Sequence, residues 1–173
     1  MIQTKEQLKK VLQTEERIYG KKWYYVLPVL LTERQVLYKH MKYLRKAEYA
    51  SNNRKLSRYW YLTKLLRIQT RYGISIPLNV VEEGFEIVHL GSVIINCNAR
   101  VGKYCRVHPG VCIGANHEKA PVIGEKVYLG PGAKVFGDIM LADEIQVGAN
   151  AVVNKSCEKA GAVLAGVPAK VME

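Results

Sequence analysis

A chain of 173 residues can hold one ordinary domain with a real core and a shorter element beside it, which excludes a two-domain enzyme of the usual size. With 49% hydrophobic and 24% charged residues it lies in the globular range, which excludes wholesale disorder. The net charge of +11 is uneven: residues 1–72 hold 17 Lys/Arg against 5 acids, and residues 73–173 hold 9 against 10.

The opening "MIQTKEQLKK" is charged with no apolar stretch behind it, so no cleaved leader is expected. From Lys5 to about Tyr72 apolar residues recur at helical spacing, for instance Leu8, Val11 and Leu12, then Leu37, Met41 and Leu44. Glycine is nearly absent there, and "ASNNRKLS" (50–57) offers the side-chain hydrogen bonds of a helix-to-helix turn. Three or four short helices over 1–73 follow. The run "WYYVLPVLL" (23–31) contains a proline and falls far short of the ~20 residues that span a bilayer. This segment carries both tryptophans and 9 of the 11 tyrosines. Interleaved cations and aromatics suit a solvated helical face first, an anionic membrane surface second and nucleic acid last.

After Gly73 glycine becomes frequent and a period of six replaces the helical one. Aliphatic residues fall at Ile95, Val101, Val107 and Ile113, and the phase resumes at Ile123, Leu129, Val135, Leu141, Val147 and Val153. Four positions after each except Ile113 stands a small or apolar residue, as at Ala99, Cys105, Val111, Ala133, Ile139, Ile145 and Ala151. Such a period marks a parallel β-helix, in which three hexapeptides make a coil and stacked coils bury the aliphatic column. Residues 76–171 allow about five coils of about 18 residues, a domain over 74–173. Asn96, Asn98, Asn150 and Asn154 sit near the turns, where asparagine tolerates unusual backbone. Cys105 is an inward-facing apolar residue. The four cysteines form no C-x-x-C pair, so neither a metal site nor a disulfide framework is indicated and a reducing cytosol is the default. Between Ile113 and Ile123 the spacing lengthens, and "ANHEKAP" forms a loop carrying His117.

This hexad pattern, ending in "AGVPAKV" (165–171), is similar to the left-handed β-helix acyltransferases of the hexapeptide-repeat superfamily. Within it, "VHLGSVII" (88–95) followed by "GPGAKVFGDI" (130–139) resembles the serine acetyltransferase branch, including its short relatives in polysaccharide biosynthesis. The resemblance covers about the last hundred residues. It implies a mainly β chain, a left-handed parallel β-helix with an N-terminal α-helical segment, acting as an acetyl-CoA-dependent O-acetyltransferase without a metal. It further implies a homotrimer with coenzyme A between neighbouring solenoids. The general base carries over onto His89, because an imidazole can take the proton of an attacking hydroxyl. His89 stands six before Ile95, in the aliphatic register, so either the coil slips there or the ring is buried. The coenzyme A groove maps onto Gly114, Ala115, Gly130, Gly132, Lys134, Ala165, Gly166 and Lys170, the small residues admitting the pantetheine arm and the lysines meeting phosphate. The loop of His117 lies where the family places a substrate-contacting histidine, although alignment on Pro121 puts that position at Ala120. His40 and His108 are expected to be structural or solvent-facing.

The departures bear on the acceptor. The aspartate preceding the family's histidine is Val88 here, the orienting aspartate falls on Ile74, and an arginine becomes Lys119. A site for free serine needs partners for an ammonium and a carboxylate. A sugar or polysaccharide hydroxyl is therefore favoured over serine, with Glu82, Glu83 or Glu86 replacing the orienting acid and Glu86 near the substrate. Serine acetylation is the first alternative and a non-catalytic scaffold, with His89 buried, the second. The expected location is cytoplasmic, with the basic helices attaching the protein to the inner membrane surface.

Overall fold

The structure, a computed structural model, describes residues 1–20 and 32–172 and divides into two compact units, Met1–Tyr72 and Gly73–Glu173. The apolar run at 23–31 lies outside the described residues.

The first unit contains helices α1 (Lys5–Tyr19), α2 (Glu33–Asn52) and α3 (Ser57–Tyr72). A capping box opens α1: the Thr4 hydroxyl accepts from the Gln7 amide at 3.1 Å, and the Gln7 side chain accepts from the Thr4 amide at 3.0 Å. The turn expected at 50–57 joins α2 to α3, with the Asn53 amide donating to the Tyr49 carbonyl at 2.8 Å. Leu37, Met41, Leu44 and Ala47 form the fully buried stripe of α2. Beside it lies a charged cluster: Arg45 Nε donates to Glu15 at 3.0 Å and Arg45 Nη1 meets Glu48 at 3.2 Å, all three side chains being buried. His40 is buried too, 3.5 Å from Gln69, so it is structural and not solvent-facing. On the surface several cations stack on aromatics, Lys55 over Tyr49 at 4.2 Å, Arg58 over Tyr59 at 4.7 Å and Lys64 over Trp60 at 5.4 Å. No helix among the described residues is long and apolar enough to cross a membrane.

The second unit is a solenoid with three sheet faces. Face A stacks β1 (Ile74–Ser75), β3 (Val93–Ile95), β6 (Cys112–Gly114), β9 (Lys134–Phe136) and β12 (Val152–Val153). Face B stacks β4 (Arg100–Val101), β7 (Val122–Ile123) and β10 (Met140–Leu141), flanked by the bridges Val81 to Val101 and Leu141 to Cys157. Face C stacks β2 (Glu86–Ile87), β5 (Arg106–Val107), β8 (Tyr128–Leu129), β11 (Gln146–Val147) and β13 (Val163–Gly166), with β14 (Ala169–Val171) folding back antiparallel on β13. Every other pairing is parallel, and five coils result.

The hexad column is the core. The ten aliphatic residues from Ile95 to Val153 are each 2% exposed or less, and Ala99, Cys105, Val111, Ala133, Ile145 and Ala151 fill the space between them. Burying each large aliphatic contributes about 1.5–3 kcal/mol, so the column is the main source of solenoid stability. Burial pushes the Cys105 thiol up to about 12, consistent with its inert inward position. The corners differ from expectation. Of the four asparagines near turns only Asn150 takes a positive φ, whereas Tyr104, Lys126 and Glu144 do so at one stacked corner. Hydrogen bonds between coils, such as Lys126 N to Lys103 O at 2.7 Å and Glu144 N to Glu125 O at 2.8 Å, hold that corner regardless of residue type.

Two interruptions break the period. Ile113 pairs with Val135 where a regular coil, Val135 to Val153, needs four fewer residues; the excess forms a tight hairpin in which Asn116 and Lys119 exchange backbone bonds of 2.9 and 3.2 Å, with His117 at φ +54°. The second interruption lies at His89.

Candidate active site

Ile87 is 1% exposed and pairs with Val107, so the inward register runs through Ile87 and not through His89. The next inward residues are Val93 and Ile95. Two residues more than a hexad separate Ile87 from Ile95, and the excess loops out as a bend at 89–91, at the edge between faces C and A. His89 is exposed there, and the buried alternative falls away. Gly91 makes the bend possible: at φ +153° a Cβ on it would stand 2.9 Å from Pro109 Cβ in the next coil.

Stacking brings a row of polar side chains alongside. Strand register places Glu86, Arg106, Tyr128 and Gln146 in one outward line of face C, on four successive coils. Arg106 Nε forms an ion pair with Glu86 Oε2 at 3.0 Å. His108, two residues beyond Arg106 on the same face, bonds to the Tyr128 hydroxyl at 3.0 Å through Nε2, and the two rings meet edge to face at 5.2 Å. The His89 ring centroid lies 6.1 Å from that of His108. Partial burial, then the neighbouring His89, then Arg106 hold the His108 imidazole below its ordinary range, while Glu86 opposes them. The result is a surface with an accessible imidazole, a second imidazole biased to its neutral form, a phenol and a guanidinium. Such a surface can accept a proton from a bound hydroxyl and donate several hydrogen bonds to its carrier.

Of the residues predicted from sequence, His89 and Glu86 belong to this cluster. Glu86 engages Arg106, and Glu82 and Glu83 flank the preceding corner. His117 is exposed in its hairpin between β6 and β7, so in one chain the whole of face A separates it from His89. Lys119 in that hairpin is paired with Asp138. The ammonium of Lys134 donates to the carbonyls of Gly110 and Gly132, which assigns it a structural partner where phosphate contact was expected. Lys170, Gly166 and Ala165 lie on the terminal hairpin, with Lys170 exposed. Gly114 and Ala115 stand half-buried at the end of β6, and Gly132 turns the corner after β8. At Gly130 a Cβ would lie 2.9 Å from Val147 O and from Ala149 N, so the coil above by itself calls for glycine there. Arg106, Tyr128 and His108 were not read from the sequence as site residues. The signal was weak, an outward position one residue before, or one after, an inward aliphatic, and which of these stack depends on both interruptions. Among the described residues no three His, Cys, Asp or Glu side chains gather closely enough to hold a metal ion.

Comparison with known proteins gives the solenoid its relatives. No protein-family model matches. The serine acetyltransferase of Mycobacterium tuberculosis is 37% identical over 105 residues, covering 58% of this chain and 45% of the relative. That of Synechococcus elongatus is 32% identical over 116 residues, covering 64% and 46%, and that of Helicobacter pylori 32% over 103 residues, covering 56% and 60%. The chain thus spans about half the length of the curated relatives it matches. Among solved structures, a truncated serine acetyltransferase apoenzyme superposes with a TM-score of 0.78 at 19% identity, covering 97% of this chain and 71% of its own. A serine acetyltransferase in complex with CoA gives 0.71 at 18%, covering 97% and 71%, and the soybean apoenzyme 0.75 at 21%, covering 95% and 69%. These likenesses show a shared fold that extends over the helices as well as the coils. The chain is a β-solenoid that shares its fold with serine acetyltransferases and is similar to them in sequence over its solenoid half.

Proposed function

We propose that this protein transfers an acetyl group from acetyl-CoA to a hydroxyl, with His89 as general base. The observation that carries the reading is the slipped coil, which lifts His89 out of an otherwise unbroken aliphatic column and sets it beside His108, Arg106 and Tyr128. A buried structural histidine would not need the two extra residues. In the reaction the acceptor oxygen attacks the thioester carbonyl as its proton passes to His89. The tetrahedral adduct then collapses, the carbon–sulfur bond breaks, and the imidazolium returns the proton to the departing thiolate. A base so placed contributes about 10²–10⁴-fold. Transfer is direct; Cys105, buried and with its thiol held at high pKa, is unsuited to carry an acyl group.

Serine is the acceptor that the relatives' names favour. A sugar hydroxyl is the second reading, favoured by Val88 beside His89 and by the buried Ile74, both standing where the resemblance calls for aspartate. Coenzyme A would run past Gly114 and Ala115 towards Lys170. Because face A separates His117 from His89 within one chain, a site using both is completed by a second copy, in keeping with a trimer. A cytoplasmic location, with the basic aromatic helices against an anionic membrane, is part of the same proposal.

The test is release of free coenzyme A from acetyl-CoA with serine and sugar acceptors. Turnover that falls by at least about a hundredfold in His89→Ala, with the thermal transition kept, supports the reading. Full activity in His89→Ala removes the base. Absence of both turnover and coenzyme A binding in the unaltered protein replaces the enzyme with a scaffold.

A further inference from the structure

Arg106 is the one full cation in the outward line formed by Glu86, Arg106, Tyr128 and Gln146. Its side chain is 51% exposed, and its Nε lies 3.0 Å from Glu86 Oε2 as an ion pair. A guanidinium is a planar fork of five donors. Among the described residues neither Nη group bonds to protein, so the end of the fork stands open beside Glu86. As a surface ion pair the Glu86–Arg106 contact would contribute little to stability. Its position says more: it lies on the strands immediately before His89 and His108, and the cation is near enough to help keep the His108 ring neutral. Arg106 is therefore the permanent positive charge of this surface, and an open guanidinium edge matches a carboxylate with two parallel hydrogen bonds.

We propose that Arg106 selects the acceptor, its open guanidinium edge binding the carboxylate of a hydroxy acid whose hydroxyl reaches His89. The proposal rests on the transferase reading above and narrows it: the arginine of the resemblance is Lys119 here, already paired with Asp138, and face C offers a guanidinium in its place. Two kinds of acceptor share this chemistry, a free amino acid such as serine and an acidic sugar such as a uronic acid. Glu86 orients Arg106 and touches the acceptor only through it.

The experiment compares kcat/KM for two matched pairs, L-serine with serinol and glucuronate with glucose, in the unaltered protein, Arg106→Gln and Arg106→Lys. The pair that turns over identifies the source of the carboxylate. In that pair the acid is expected to be preferred, and Arg106→Gln is expected to reduce the preference by about tenfold to a hundredfold through KM for the acid, the loss of a charge-assisted fork. Arg106→Lys keeps the charge without the planar fork and should lose less; it also carries the test if the glutamine variant fails to fold. A preference that survives both substitutions, or is absent from the start, overturns the role of Arg106 and leaves the transferase reading standing. So does a loss confined to KM for acetyl-CoA, which would make Arg106 a phosphate contact. No turnover of any acceptor overturns both.

Discussion

The His40 imidazole in the helical unit gives a prediction whose magnitude can be worked through. It is fully buried in α2, and burial first, with Arg45 second, lowers its pKa to about 3. In the unfolded chain the same ring titrates near 6.5. Between those values the unfolded state binds a proton that the folded state refuses, so stability is complete above about pH 6.5 and falls as pH drops towards 3. At pH 5 the loss is about 2 kcal/mol, from one and a half units at about 1.4 kcal/mol each. His40→Gln removes the ionisation. Both tryptophans lie in residues 1–72 and none in 73–173, so tryptophan emission during urea denaturation reports this unit and not the solenoid. The comparison is the difference in unfolding free energy between pH 7 and pH 5 within each protein, so a constant cost of the substitution cancels, as do the carboxylates common to both. The unaltered chain should lose about 2 kcal/mol more than the variant over that interval. Equal losses would mean that the folded state accepts the proton at ordinary pH, and the picture of a neutral, dry His40 beside Arg45 would be wrong.

Gly130→Ala should destabilise the solenoid by about 1–3 kcal/mol, read by thermal melting of the β-sheet circular dichroism signal, because the new methyl meets Val147 O and Ala149 N at 2.9 Å. An unchanged melt accompanied by weaker acetyl-CoA binding would restore ligand clearance as the reason for that glycine. The membrane reading predicts that the full chain partitions onto vesicles containing phosphatidylserine and that raising salt from about 50 mM to 300 mM releases it, since exposed charges are screened beyond about a Debye length. Partition that ignores salt would sink it.

The column from Ile95 to Val153 was legible because a solenoid repeats one local decision: each sixth residue faces inward, and a single register suffices. The helix-to-helix turn at 50–57 was legible for a similar reason, its asparagine bonding to backbone four residues away. What periodicity could not supply was the consequence of its own failure. His89 falls in phase by counting back from Ile95, yet two extra residues shift the inward position to Ile87, and only the pairing of Ile87 with Val107 reveals which residue yields. The same holds for Arg106 and Tyr128. They become neighbours because the four-residue excess around His117 is absorbed at the hairpin between β6 and β7, leaving the strands after it in step. His40 illustrates the opposite limit, a histidine in a basic helix whose burial depends on packing against Gln69 of a different helix.

That pattern bears on how such a scaffold acquires chemistry. Inward positions are committed to packing, and a change of one methylene there is felt throughout the stack. Outward positions are free, and register lines them up on successive coils about 4.8 Å apart. A row of this kind can present an anchor and a reacting group one coil apart without any loop reaching across. The remaining requirement is a side chain that leaves the plane of the row to meet the substrate, and the slipped coil supplies it at His89. The site is therefore sensitive to the bend as well as to the imidazole. Gly91 holds that bend against Pro109, so a side chain at position 91 would move His89 relative to Arg106 while leaving both residues intact. Activity lost in this way, with the β-sheet signal retained, would place the catalytic geometry in the slip itself.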